Sequence, residues 1–221
     1  MLIKTLLILP FPPKMSTLTK SPIKTMRITQ AAQEETRLKI LNAARKLFGA
    51  GFSEVTTRAI AQAAGIATGT LFNYFPSKEA LGFALVNEAV GKAQAEFDQA
   101  QLPRLLDEIL FAHVATQLRA MGSMRIWTPT VFESALSPLR DDKDDAASEF
   151  RRQHLARVQN WIDAELGPGE DRSIDLHLYW SLYLGVVSFW ANDESQNQAA
   201  TLALLDRSMR LFSRTLKEEN Q

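Results

Sequence analysis

The chain has 221 residues, 46% hydrophobic and 23% charged, with 10 Gly and 9 Pro. That is the balance of one large domain or two small ones with a sizeable core, and it excludes collagenous and wholly disordered chains. The absence of cysteine excludes disulfides, thiolate catalysis and Cys-ligated zinc. Three histidines, at 113, 154 and 177, leave little for a His-based metal site. No metal and no cofactor are expected.

A formal net charge of zero hides an asymmetry. Residues 1–80 hold 11 Lys/Arg against 4 Asp/Glu, and residues 81–221 hold 14 against 21. A basic first third on an acidic remainder suits a polyanion-binding head on a body that need not touch the polyanion. Chance clustering of solvated charge is the alternative.

Residues 1–30 differ in composition from the rest. A short apolar run ends at Pro10-Phe11-Pro12-Pro13, and Ser, Thr and Lys follow without periodicity. The order of charge and apolar residues is a poor match to a signal peptide. The segment reads as a disordered basic tail or a mis-assigned start, with Met15 and Met26 as other starts. Uncharged runs such as Leu178–Asn192 are shorter than the ~20 residues of a membrane span, so a cytoplasmic protein without membrane partners is expected.

From residue 31 the periodicity is helical and strand alternation is absent, which predicts an all-α chain of about nine helices. Ile40, Leu41, Ala44, Leu47 and Phe48 form the stripe of the first, stopped by Gly49 and Gly51. Thr56 caps a short helix over 57–64, Gly65 ends it, and a third helix spans about 68–74. Ser77 caps a long fourth helix running to about residue 100. Five more follow at about 103–121, 125–137, 143–166, 172–191 and 196–218.

Two short helices joined at Gly65-Ile66-Ala67, with Ala61 and Ala64 allowing a close crossing, suggest a helix-turn-helix over about 56–75. The residues from Thr36-Arg37 to Ser77-Lys78-Glu79-Ala80-Leu81 include Gly51-Phe52, Thr56-Thr57-Arg58-Ala59-Ile60-Ala61 and Gly69-Thr70-Leu71-Phe72-Asn73-Tyr74-Phe75. This string closely resembles the DNA-binding domain of TetR-family (tetracycline repressor-like) transcriptional regulators. The resemblance implies a DNA-binding domain over 31–79 and an effector-binding and dimerisation domain over 80–221. It implies a phosphate contact at Thr57, a recognition face of Ala67, Thr68, Gly69, Phe72, Asn73 and Tyr74, and a second phosphate contact at Lys78.

Two positions depart from the family pattern. Ala67 stands where a capping Ser or Thr is usual, forfeiting a cap worth ~1 kcal/mol unless Thr68 supplies the hydroxyl one position late. Phe72 replaces the usual Tyr and its phosphate-seeking phenol, leaving Phe72 a packing role. Asn73 has the side chain that pairs with adenine in a bidentate manner. Lys78 is equally readable as a solvated lysine, and Tyr74 as a seal on the small core.

The resemblance also implies a homodimer in which the last two helices meet their symmetry mates. Leu182, Val186, Phe189, Leu205, Met209 and Phe212 are the expected contacts, although an intrachain core accounts for part of this apolar face. A dimer would read a palindromic or near-palindromic double-stranded operator with half-sites about one turn apart, ~34 Å. Phe111, His113, Met121, Met124, Trp127, Phe150, His154, Trp161 and Trp180 supply aromatic, Met and His side chains of the kind that line a small-molecule pocket. His113 and His154 sit on apolar stripes and are as readily core residues. Asp141, Asp142, Asp144 and Asp145 fit a helix N-terminus.

The function expected is therefore a ligand-responsive repressor released by an uncharged or weakly charged, apolar or aromatic small molecule. The alternatives are an activator, or a regulator controlled by a protein partner. An enzyme would need a nucleophile–base pair, a metal constellation or a phosphate loop, and none is readable.

Overall fold

The computed structural model describes residues 22–101, 103–136, 146–168 and 171–219, with side chains described except at 22–28, 134–136 and 219. Residues 1–21 of the expected tail and the acidic run Asp141–Asp145 lie outside the described residues. The described residues form nine α-helices: α1 (Pro22–Phe48), α2 (Thr57–Ala63), α3 (Thr68–Tyr74), α4 (Lys78–Gln99), α5 (Leu106–Ala120), α6 (Thr128–Leu136), α7 (Ala146–Leu166), α8 (Ser173–Ala191) and α9 (Ala199–Glu219). Helix α1 begins at Pro22, ahead of the expected residue 31. Pro22 is at home in a first turn, where its missing N–H costs nothing, and Gln30-Ala31-Ala32-Gln33-Glu34-Glu35 are good helix formers.

The chain divides within α1, between Thr36 and Arg37, into two units. In the first, Thr36 Oγ1 donates to Ala32 O at 2.9 Å, and residues 29–35 are exposed. The second, residues 37–221, carries the helix-turn-helix and every later helix.

Local chemistry sets the boundaries in the second unit. Thr56 Oγ1 accepts from Ala59 N and Ser77 Oγ from Ala80 N, each capping its helix as expected. Ala67 gives α3 no side-chain cap. After α2, Gly65 at φ +70° lets its N–H reach Gln62 O while Ile66 N–H reaches Ala61 O, the paired bonds of a Schellman turn. Helix α6 starts at Thr128, later than expected, because Pro129 is tolerated only in a first turn and the preceding Gly122–Met124 is a 3-10 turn. Helix α9 starts at Ala199 because Asn197 and Gln198 take left-handed φ values of 53° and 57°. There the Asp193 carboxylate accepts from Ser195 N, Thr201 N and Thr201 Oγ1, bonds that hold its pKa well below the usual carboxylate range.

One apolar core runs through the unit. Ile40, Ala44, Phe48, Ile60, Ala61, Leu71 and Phe75 fill the helix-turn-helix end. Helix α9 packs on α5 and α8, and this is where Val186, Leu205, Met209 and Phe212 go. All four are at most 1% exposed within a single protomer, so their stripe serves the intrachain core. Leu182 is half-buried, and Phe189 is 44% exposed. What α8 leaves uncovered is a different stripe, Ile174, Leu178, Ser181, Gly185 and Phe189, repeating at helical spacing.

Candidate functional site

The helix-turn-helix turns one side of α3 into the core and the other outward. Leu71 is fully buried, while Ala67, Gly69, Phe72 and Asn73 are exposed and Thr68 is half-buried. A Cβ built on Gly69 meets nothing within 4 Å, so the backbone there is open to close approach. Phe72 is 47% exposed, so packing alone does not explain it. Tyr74 lies partly buried against the core, and Thr57 is half-buried in the first turn of α2.

Lys78 is engaged within the protein. Its ammonium donates to Phe52 O at 3.1 Å and Ser53 O at 3.3 Å and lies 4.6 Å above the Phe52 ring. The Phe52 ring is also stacked on Trp127, centroids 5.3 Å apart at 14°. Phe48 meets both rings. Beside them α4 and α6 approach so closely that a Cβ on Gly82 would stand 2.8 Å from Val131 Cγ2. Lys78, Phe52, Trp127, Gly82 and Val131 thus bolt the helix-turn-helix to the helices behind it, and Arg45 to Glu88 at 2.9 Å adds a more exposed tie.

The residues expected to line a pocket separate into distinct places. Met121 is fully buried, and Phe111 packs half-buried on the core. Met124 and Trp127 border a cleft of about 400 Å³ shared with Arg45 and Phe48. His113, Phe150 and His154 border a smaller cavity of about 70 Å³ with Gln117, Arg157 and four residues of α4, Asn87, Val90, Gly91 and Gln94. Trp161 and Trp180 stand behind the histidines, at 5.0 Å from His113 and 5.5 Å from His154.

A chain of hydrogen bonds underlies that cavity. Gln117 Nε2 lies 3.1 Å from His113 Nε2 and 3.3 Å from His154 Nδ1, and His154 Nε2 lies 3.0 Å from Tyr179 Oη. Burial disfavours charge on both rings, lowering His113 to about 3 and His154 well below its ordinary value. Both are neutral at physiological pH. Gln117 and Tyr179 carry this network without having been singled out from the sequence. Gln117 had a readable signal, since His113 and Gln117 are four apart on one helix face. Tyr179 had none, because its partner is 25 residues away.

Residues 40–85 match the family of bacterial regulatory proteins, tetR family. The HTH-type transcriptional regulator UidR of Escherichia coli K12 is 27% identical over 165 residues, 72% of this chain and 83% of its own. An HTH-type transcriptional repressor of Mycobacterium tuberculosis is 30% identical over 157 residues, 61% of this chain and 84% of its own. The chain belongs to the TetR family. TetR-family structures carry the same fold. A regulator from Rhodococcus sp. RHA1 superposes with a TM-score of 0.59 at 20% identity, covering 84% of this chain and 97% of that one. Thermus thermophilus FadR, a repressor crystallised with lauroyl-CoA, gives 0.56 at 23%, covering 80% and 92%. The protein is a TetR-family transcriptional regulator with a helix-turn-helix. No helix among its described residues is long and apolar enough to cross a membrane.

Proposed function

We propose that the protein is a homodimeric repressor that binds a two-fold symmetric operator and leaves it when a small molecule binds the body. The head spans 31–79 and the body 80–221. The observation that carries this reading is the outward face of α3, where Ala67, Gly69, Phe72 and Asn73 are exposed. A short helix with an exposed amide side chain and an open glycine is suited to a major groove. Thr57 sits at the start of α2, where backbone N–H groups favour a phosphate. Lys78 has one ammonium hydrogen beyond its two carbonyl bonds and serves phosphate only through that one.

The second copy docks on the uncovered stripe of α8, with Leu178, Leu182 and Phe189 as its apolar contacts and Gly185 allowing close approach. The repressor names of the mycobacterial relative and of the FadR neighbour support repression. Selection of bound duplexes from a random pool tests the proposal. A symmetric site with half-sites one turn apart is expected, and recovery of duplexes without any shared sequence would overturn it.

A further inference from the structure

The small cavity has an electrical and hydrogen-bonding character that narrows what can occupy it. Two of the residues that border it contribute buried polar atoms, His113 Nδ1 and Gln117 Oε1, that have no hydrogen-bond partner among the described residues. His113 and Gln117 are each at most 2% exposed. Such atoms are costly unless something pairs with them.

The roles of the two atoms are linked. With the Gln117 amide nitrogen between the rings, it donates to both, so His113 carries its proton on Nδ1. The unpaired set is then a ring N–H donor and an amide carbonyl acceptor. If the amide is turned over, its oxygen accepts from both rings, His113 Nδ1 becomes an acceptor and the amide N–H₂ the unpaired donor. Either arrangement leaves one donor and one acceptor, and either leaves both rings neutral.

A carboxylate offers only acceptors and would face an unmatched carbonyl or ring nitrogen. An ammonium offers only donors and would face an unmatched N–H. A hydroxyl answers both demands from a single oxygen, which suits a volume of about 70 Å³. Farther out the cavity is bordered by the exposed amides of Asn87 and Gln153, the latter donating from its nitrogen to Glu149, and by Arg157, whose guanidinium is paired with Asp98 at 2.7 Å and so adds no unbalanced charge.

We propose that this cavity is a subsite for a neutral polyol, one hydroxyl seated on His113 and Gln117 and others on the Asn87 and Gln153 amides. The proposal rests on the effector reading above and replaces the apolar ligand that the aromatic residues suggest from sequence. Those rings form the walls behind the histidines, while the atoms left to be satisfied are polar.

The test is calorimetric titration of the full chain without DNA, with intrinsic tryptophan emission as a second signal. Erythritol and xylitol are the neutral probes, meso-tartrate and xylarate their dicarboxylates, and 1,4-diaminobutane the cation. The neutral polyols are expected to bind saturably, with the charged probes roughly tenfold weaker or more. Gln117→Leu should weaken the polyol by a similar factor. Because that change is in the core, Asn87→Ala and Gln153→Ala serve as surface variants, each expected to weaken binding several-fold with the melting temperature unchanged.

Dicarboxylates that bind as well as the polyols would overturn the proposal. So would surface variants that bind like the wild type, or neutral polyols that fail to bind at millimolar concentration, which would mean that solvent alone satisfies the two atoms. Release of operator is measured separately. A polyol that binds as described but leaves operator bound would sustain the subsite and refute the release mechanism. An apolar compound that releases operator while no polyol binds would do the reverse.

Discussion

His113 and His154 sit uncharged in the middle of the body, and this has a consequence for stability against pH. In the unfolded chain each imidazole titrates near its ordinary value of about 6.5. In the folded chain burial lowers His113 to about 3 and His154 well below its ordinary value. Above about pH 7 neither state is protonated and pH has no leverage. Below about 6.5 the unfolded chain takes up protons that the folded chain refuses, so stability falls by up to ~1.4 kcal/mol per pH unit for each ring. The melting temperature should be flat between about pH 7 and pH 9 and decline on acidification. A profile still flat at about pH 5 would show that these rings titrate normally.

Lys78 makes the second residue-scale case. Lys78→Met keeps the aliphatic stem but removes two carbonyl bonds and the contact with Phe52. A loss of about 1–3 kcal/mol is expected, read as a lower urea midpoint with an unchanged slope. An unchanged midpoint would mean that the ammonium is free for phosphate. The lysine was legible as part of a motif. Its partners were not, since Phe52 and Ser53 are about one loop and two short helices away in sequence.

Among the helices, Gly82 marks the contact that fixes the head. A methyl group there would meet Val131 Cγ2 at 2.8 Å, Phe52 Cε2 at 3.2 Å and Trp127 Cζ3 at 3.4 Å. Gly82→Ala should destabilise the chain by about 1–3 kcal/mol, as overpacking does, and weaken operator binding by moving α4 off α6. Calorimetry and a DNA titration read the two effects, and a variant that melts and binds like the wild type would contradict the close crossing.

The α8–α9 pair gives a contrast between two aspartates. Leu178→Asp places a charge on a face that is 42% exposed in the protomer and should yield a folded monomer. Leu205→Asp buries an unpaired charge where nothing is exposed and should unfold the protomer, a penalty of several kcal/mol. Light scattering with circular dichroism separates these outcomes. Folded Leu205→Asp protein, or a Leu178→Asp dimer, would return the interface to the residues expected from sequence. An apolar stripe carries the same signal whether its partner is the same chain or a copy, which is why periodicity could not distinguish Leu205 from Leu178. The caps at Thr56 and Ser77 were legible because capping is local. The α9 boundary was not, because Asp193 sets it by reaching Thr201 across a left-handed turn.

For the molecule as a whole, α4 is the shared part. Its 22 residues span ~33 Å. Lys78 and Gly82 near its start belong to the bolt on the head, and Asn87, Gly91 and Gln94 farther along border the cavity. Arg125, just before α6, ties the same region to the α8–α9 turn by donating to Trp190 O at 2.7 Å and to Asp193 O. In the proposed mechanism a ligand against the middle of α4 acts on the helix that carries the head, and an equilibrium coupling of ~1–3 kcal/mol between effector and operator is of ordinary size.

Base recognition by the outward face of α3 is the claim on which the rest depends, and Asn73 tests it most directly. On a selected operator, affinities of wild type and Asn73→Ala are measured against every single base-pair change. The variant should lose discrimination of about 1–3 kcal/mol at one base pair in each half-site and keep its preferences elsewhere. An Asn73→Ala protein with the wild-type profile at every base pair would contradict a recognition role for this face.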